Sequence, residues 1–119
     1  MKKIIIVGSR QRNAAKDYII IEEKFMELYE HGDWIVSGGC PKGADSFAEK
    51  IARKRGIPIL IFHAEWSRYG PGAGILRNTL IAETGNSLIA CVRHDRKGGT
   101  EDTITKFRER HIESQIVLC

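Results

Sequence analysis

Residues 33–62 read DWIVSGGCPKGADSFAEKIARKRGIPILIF, from Asp33 to Phe62. Asp33 to Ser37 is a short apolar run that predicts a strand. A glycine-rich turn follows, Ser37-Gly38-Gly39-Cys40-Pro41-Lys42-Gly43-Ala44-Asp45. Gly43 to Arg55 then places Ala44, Phe47, Ala48, Ile51 and Ala52 on one helical face, and Gly56 supplies a C-terminal stop. Pro58 to Phe62 predicts the next strand. Strand, helix and strand in so short a stretch imply parallel strands joined by a right-handed crossover.

The same alternation continues on both sides. Ile4 to Val7 is a β-branched run that reads as a buried strand. Asp17 to His31 repeats Ile20, Ile21, Phe25, Leu28 and Tyr29 at helical spacing. Downstream, Gly72 to Glu83 predicts a third helix, Ser87 to Val92 a fourth strand, Glu101 to His111 a fourth helix and Gln115 to Leu118 a fifth strand. The pattern βαβαβαβαβ gives the fold class α/β. The expected architecture is a Rossmann-like three-layer α/β/α sandwich with a mostly parallel five-stranded sheet, one domain over residues 1–119.

The 119 residues fall in the usual range for one domain. Hydrophobic residues make up 42% and charged residues 29%, an ordinary balance for a soluble globular protein. The net charge of +4 mildly favours anionic partners, but the charges are spread along the chain. Cys40, Cys91 and Cys119 form an odd set without metal-ligand spacing, which argues against a disulfide framework or a zinc site. The expected setting is reducing and cytoplasmic. The apolar run after Met1-Lys2-Lys3 is too short for a signal peptide, and no segment approaches a membrane span.

Function is sought at the strand ends, because open parallel sheets bind ligands outside the carboxyl ends of their strands. Gly8-Ser9-Arg10 follows the first strand. The turn from Ser37 to Asp45 follows the second, Tyr69-Gly70-Pro71-Gly72-Ala73-Gly74 with Arg77-Asn78 comes after the third, and Gly98-Gly99-Thr100 after the fourth. Glycine lets backbone approach a ligand, and free N–H groups at a helix start attract phosphate. The turns at Ser37–Asp45 and Gly98–Thr100 meet both conditions. Neither G-x-G-x-x-G nor the Gly-Lys-Ser/Thr ending of a Walker loop is present, so a standard NAD site, a kinase and an ATPase are not indicated.

Individual residues carry alternative readings. The Arg77 fork suits bidentate phosphate binding, and Arg10 suits a second phosphate or a solvated loop. Asn78 fits a ribose hydroxyl or a turn cap. Asp45 fits a cap on the loop N–H groups at least as well as a ligand contact. Ser9 and Ser37 are divided between ligand and turn. Thr100 can cap the last helix while its N–H faces a phosphate. Trp66 and Tyr69 suit base stacking or packing under the long loop. Lys42, Arg93, His94, Arg96 and Lys97 add positive charge near the same edge, and His63 and Glu65 read as loop residues. The expected site centres on Ser37–Asp45, Arg77-Asn78 and Gly98–Thr100, away from the first turn. It calls for no resident cofactor and no metal.

Taken together, Gly8-Ser9-Arg10, Ser37-Gly38-Gly39 with Gly43-Ala44-Asp45, Trp66 with Gly70, Ala73-Gly74 with Arg77-Asn78, and Gly99-Thr100 resemble the YspA-like, cpYpsA-related family of the SLOG superfamily. The resemblance spans nearly the whole chain. It implies a Rossmannoid fold and a nucleotide-type ligand, because SLOG relatives include LOG phosphoribohydrolases, SMF/DprA DNA-processing proteins and sensors of nucleotide messengers. It also implies that Arg77 stands beside ribose and phosphate, and that Cys40 fills a place usually held by a small residue.

An N-glycosidic hydrolase needs a carboxylate near the ribose. LOG-type enzymes carry a glutamate three residues after the glycine–threonine pair, where this chain has Thr103. Glu101 and Asp102 are close in sequence but lie on other sides of the helix. Three readings stand: a non-catalytic sensor, carrier or sequestering protein for a nucleotide or nucleotide-derived phosphate ligand; a hydrolase using Arg77 with Glu101 or Asp102; and a nucleic-acid-binding module, which the scattered charge disfavours. The expected partners are a nucleotide or NAD-derived small molecule and a second copy of the chain, with no membrane. Relatives often pair through helical faces, and the third helix is the candidate.

Overall fold

The computed structural model describes residues 1–119. At its centre lies β1 (Lys3–Gly8), whose Ile4, Ile5 and Ile6 are completely buried. Their branched side chains have few rotamers to lose and pack well on a pleated surface. Successive residues serve opposite faces. Ile4 and Ile6 join the cluster built with Ile21, Phe25, Ala48 and Ile51, while Ile5 and Val7 join Ile81, Ala82, Ile104 and Phe107.

Around β1 lie β2 (Trp34–Ser37), β3 (Ile59–Ile61), β4 (Ser87–Cys91) and β5 (Ile116–Leu118). The order across the sheet is β3-β2-β1-β4-β5, and every pairing is parallel. The chain thus steps outward from β1 to β3, crosses back to β4 and steps outward again to β5. The reversal opens a crevice between the carboxyl ends of β1 and β4. One face is covered by α1 (Ala15–Leu28) and α2 (Ala44–Arg55). The other is covered by α4 (Ala73–Thr84) and α5 (Gly99–Arg108), preceded by the short α3 (Trp66–Tyr69). This is the expected Rossmann-like α/β architecture, with a sheet that is wholly parallel.

The element boundaries move for local reasons. The first helix begins at Ala15, not Asp17, because the Asp17 carboxylate reaches back to the Ala14 N–H at 3.0 Å. It ends at Leu28, not His31. The buried Asp33 carboxylate accepts the Glu30 N–H at 2.9 Å and the Lys2 N–H at 2.7 Å, which draws that turn out of the helix. Gly56 closes α2 in the left-handed conformation, as expected of a helix stop. The last helix starts at Gly99 with Gly98 as its cap, so Thr100 lies inside the first turn and is not the capping residue. No helix is long and apolar enough to cross a membrane.

Candidate functional site

The crevice at the β1/β4 switch point is a cleft of about 400 Å³. Its first wall is the turn after β1. Gly8 lies so close to its neighbours that a Cβ would stand 2.8 Å from the Ala44 Cβ and 2.8 Å from the Cys91 carbonyl oxygen. The Ser9 N–H donates to the Cys91 carbonyl at 2.9 Å, and the Ser9 hydroxyl accepts the Gln11 N–H at 3.1 Å. Behind this turn, Arg12 acts as a clamp. Its Nη1 donates to the Val92 and Cys119 carbonyls at 2.9 and 3.1 Å, and its Nε donates to Asp17 at 2.8 Å. The first loop is thereby tied to the ends of β4 and β5, leaving Arg10 and Gln11 exposed on the rim.

The turn after β2 is satisfied largely from within. The Asp45 carboxylate accepts the Cys40 N–H at 3.0 Å, with the Gly38 backbone close beside it. Burial pushes this carboxyl above its ordinary value, and the loop N–H groups, Arg77 and Ser37 offset that only in part. The Ser37 hydroxyl sits buried beside it without reaching full hydrogen-bond geometry. Asp45 therefore caps its own loop, the first of the two roles the sequence allows it. The Gly43 N–H is likewise taken, by the Asn13 side chain at 2.7 Å.

The opposite wall comes from α4 and α5. Arg77 donates through Nη1 to the Gly38 carbonyl at 2.8 Å and through Nε to the Asn78 amide oxygen at 3.1 Å. It does not pair with Glu83, which faces Arg110. Buried Asn78 passes the link to α5, donating to the Gly99 carbonyl at 3.3 Å and to Asp102 at 3.1 Å. The first-turn N–H groups of α5 have no intrahelical acceptor, as at any helix start, and Gly98, Gly99 and Thr100 line the cleft. Arg93 and Lys97 close the rim on this side. The cleft lining carries four cations, Arg10, Arg77, Arg93 and Lys97, against the single carboxylate of Asp45. Arg93 pairs with Asp95 at 2.9 Å, whereas Arg10, Arg77 and Lys97 form no ion pair.

Of the residues picked out in the sequence, the cleft brings together Gly8, Ser9, Arg10, Gly38, Asp45, Arg77, Asn78, Gly98, Gly99 and Thr100. Ser37, Gly39 and Gly43 stand behind the lining. A Cβ on Gly39 would run into the His63 ring, and one on Gly43 into the Ser9 carbonyl. Trp66 lies on α3, 58% exposed, with its ring beside Gly74, and Tyr69 lies under Arg68. Neither lines the cleft. Glu101 is held by Arg96 at 2.7 Å and Asp102 by Lys106 at 2.7 Å, and both are outside the lining, whereas Thr103 is part of it. The cleft thus takes in Gly38, Cys40 and Asp45, Arg77-Asn78 and Gly98–Thr100, on which the sequence reading centred the site, together with the first turn. The sequence reading set the centre away from the first turn because Gly8-Ser9-Arg10 lacks the G-x-G-x-x-G fingerprint. It also missed Gln11 and Ile81 on the lining and the Arg12 clamp. The only trace of the clamp in sequence was an arginine five residues before an aspartate at a helix start.

A family model described as YspA, cpYpsA-related SLOG family matches residues 2–69. The chain belongs to this family. The match to the SLOG model runs from β1 through α3 and so contains the first two turns of the cleft, while Arg77 and the α5 start lie beyond it. The chain is also similar to the Gene 61 protein of Mycobacterium phage D29, 27% identical over 120 residues that cover 94% of this chain and 93% of that protein. No solved structure matches it significantly.

Proposed function

We propose that this SLOG-family domain binds a nucleotide or nucleotide-derived phosphate ligand, NAD-derived molecules included, and acts as a sensor, carrier or sequestering protein without cleaving it. The observation that carries the reading is the charge of the cleft. Arg10, Arg77 and Lys97, which form no ion pair, and Arg93, which pairs with Asp95 at 2.9 Å, stand with the open N-terminus of α5 around one carboxylate, and that carboxylate already accepts the Cys40 N–H. Anions gain from both features. A hydrolase reading has less support, because Glu101 and Asp102 are engaged by Arg96 and Lys106 outside the lining and position 103 is threonine. Calorimetric titration with AMP, ADP and ADP-ribose tests binding, and chromatography of each ligand after prolonged incubation tests cleavage. Saturable binding with intact ligand is the expected result. Release of free base, abolished in Glu101→Ala or Asp102→Ala, would favour the hydrolase. Binding of oligonucleotides alone would favour a nucleic-acid module.

The reading includes a reducing, cytoplasmic setting, supported by three free thiols at Cys40, Cys91 and Cys119. It also includes self-association. Its support is the outer side of α3 and α4, where Trp66, Ile75, Leu76 and Leu80 are exposed to solvent. A second copy of the chain would cover this apolar face.

A further inference from the structure

We infer that Cys91 and Cys119 form a peroxide-sensitive thiol pair that closes reversibly to a disulfide beneath the first turn of the cleft. The sheet itself sets the two side by side. The Cys119 N–H donates to the Ala90 carbonyl at 3.0 Å, and the Cys119 carbonyl accepts the Val92 N–H at 3.1 Å. In a parallel ladder that pattern makes Cys91 the direct partner of Cys119, one step beyond the Ala90–Leu118 pair. Both side chains pack into the cluster under α1 and α2, so they leave the sheet on the same face. Adjacent strands lie about 4.8 Å apart, inside the Cα span of roughly 4.4–6.8 Å that a disulfide bridges.

The two thiols differ in the way an oxidisable pair requires. Cys91 is completely buried, whereas Cys119 is half-buried and open to a small oxidant. Contact with the Cys91 thiol, aided by the Arg12 guanidinium, holds the Cys119 thiol below its ordinary value against the effect of burial. The Cys91 thiol is pushed up, by the Cys119 sulfur first and by burial next. Cys119 therefore meets the oxidant as thiolate, and Cys91 keeps its proton. The oxidant is a hydroperoxide. The Cys119 sulfur takes one peroxide oxygen, the O–O bond breaks, and hydroxide or alkoxide leaves behind a sulfenic acid. The Cys91 sulfur then attacks the Cys119 sulfur. The S–O bond breaks, the hydroxyl departs as water with the Cys91 proton, and the S–S bond forms. The two cysteines lose two electrons and the peroxide gains them. A thiol reductant reverses the step, so the open pair prevails in a reducing setting. The bond bears on the cleft because the Cys91 carbonyl holds the Ser9 N–H, and Arg12 spans the Val92 and Cys119 carbonyls.

The test treats the intact, reduced chain with hydrogen peroxide and titrates thiols after denaturation. The expected result is a fall from three free thiols to one, an intact mass lower by two hydrogens, and a proteolytic fragment joining Cys91 to Cys119, all reversed by dithiothreitol. Cys40→Ser should still form the bond. Cys91→Ser should stop at a Cys119 sulfenic acid that dimedone traps. In amide NMR spectra the Ser9 signal should move on oxidation and return on reduction. Three thiols surviving the peroxide, a bond to Cys40 or between chains, or a gain of oxygen without a cross-link would overturn the inference. A Ser9 signal that stays in place while the bond forms would overturn its tie to the cleft.

Discussion

Gly8 is fixed by what stands around it. A methyl group there would press on Ala44 and on the Cys91 carbonyl, both backbone-anchored and completely buried. Gly8→Ala is therefore expected to cost about 1–3 kcal/mol of stability, in the range of overpacked cores, measured as the shift of a urea unfolding curve. Arg10 is the opposite kind of residue, exposed and unpaired on the rim. Arg10→Ala should leave the unfolding curve in place and weaken AMP binding by about tenfold, the loss of one charge-assisted hydrogen bond of roughly 1.5 kcal/mol. Unchanged affinity would remove Arg10 from the site. The sequence pointed to both residues, since a glycine ending a β-branched run and an arginine beside it are local signals. It did not show why Asp45 is there. A carboxylate at a helix start reads alike whether it caps its own loop or meets a ligand, and only the 3.0 Å contact with the Cys40 N–H separates the two.

At the scale of elements, the cleft depends on joints between strands and loops more than on any one helix. Arg12 is the principal joint. It spans Asp17 at the start of α1 and the carbonyls that follow β4 and β5. Burial pushes the Asp17 carboxyl up, but the hydrogen bonds from Arg12 and the Ala14 N–H outweigh it and hold the group below its ordinary value. Arg12→Ala leaves that carboxylate and two carbonyls short of a donor. The expected cost is about 1–3 kcal/mol in chemical denaturation, with weaker ligand binding because the first loop loses its anchor. A variant that unfolds like the parent and binds like it would show the joint to be idle. The long helices and the strands were legible from their periodicities. α3 was not, because four residues are too few to display a helical repeat. The ends of α1 were displaced because Asp17 and Asp33 use side chains to claim backbone N–H groups, an arrangement no hydrophobic pattern records.

Over the whole molecule, two consequences follow from the balance of charge and surface. Asp17, Glu22 and Asp33 are all held below their ordinary values of 3.8, 4.5 and 3.8, with burial opposing the shift and hydrogen bonds from Arg12, from Lys54 and Arg55, and from the Lys2 and Glu30 N–H groups overcoming it. The folded chain then binds fewer protons than the unfolded chain in acid. The stability these groups contribute is complete above those ordinary values and is lost as pH falls through their folded values. Asp45 works the other way, since its raised value favours the folded state as pH falls toward 3.8. Urea midpoints should therefore drop in acid below about pH 4, less steeply in Asp33→Asn, whereas Asp45→Asn should remove a rise in midpoint on the approach to pH 3.8 from above. A midpoint flat down to pH 3 would contradict the assignment of these carboxylates. The second consequence concerns association. Ile75 is 60% exposed on α4, and Ile75→Glu should convert a dimer to a monomer in sedimentation without altering the unfolding curve. A parent chain that already sediments as a monomer would end that reading. Neither the strand order nor the resulting crevice was legible in sequence, because a crossover to the near or the far side of β1 leaves the same βαβ pattern. The order also puts the sheet's two shortest strands, β3 and β5 with three residues each, at its edges. An edge strand is a template on which a stray chain can stack, the first step toward amyloid-like growth. Edges this brief offer little ladder to copy, so crowding should drive copies of this chain together through their helices and not into fibrils.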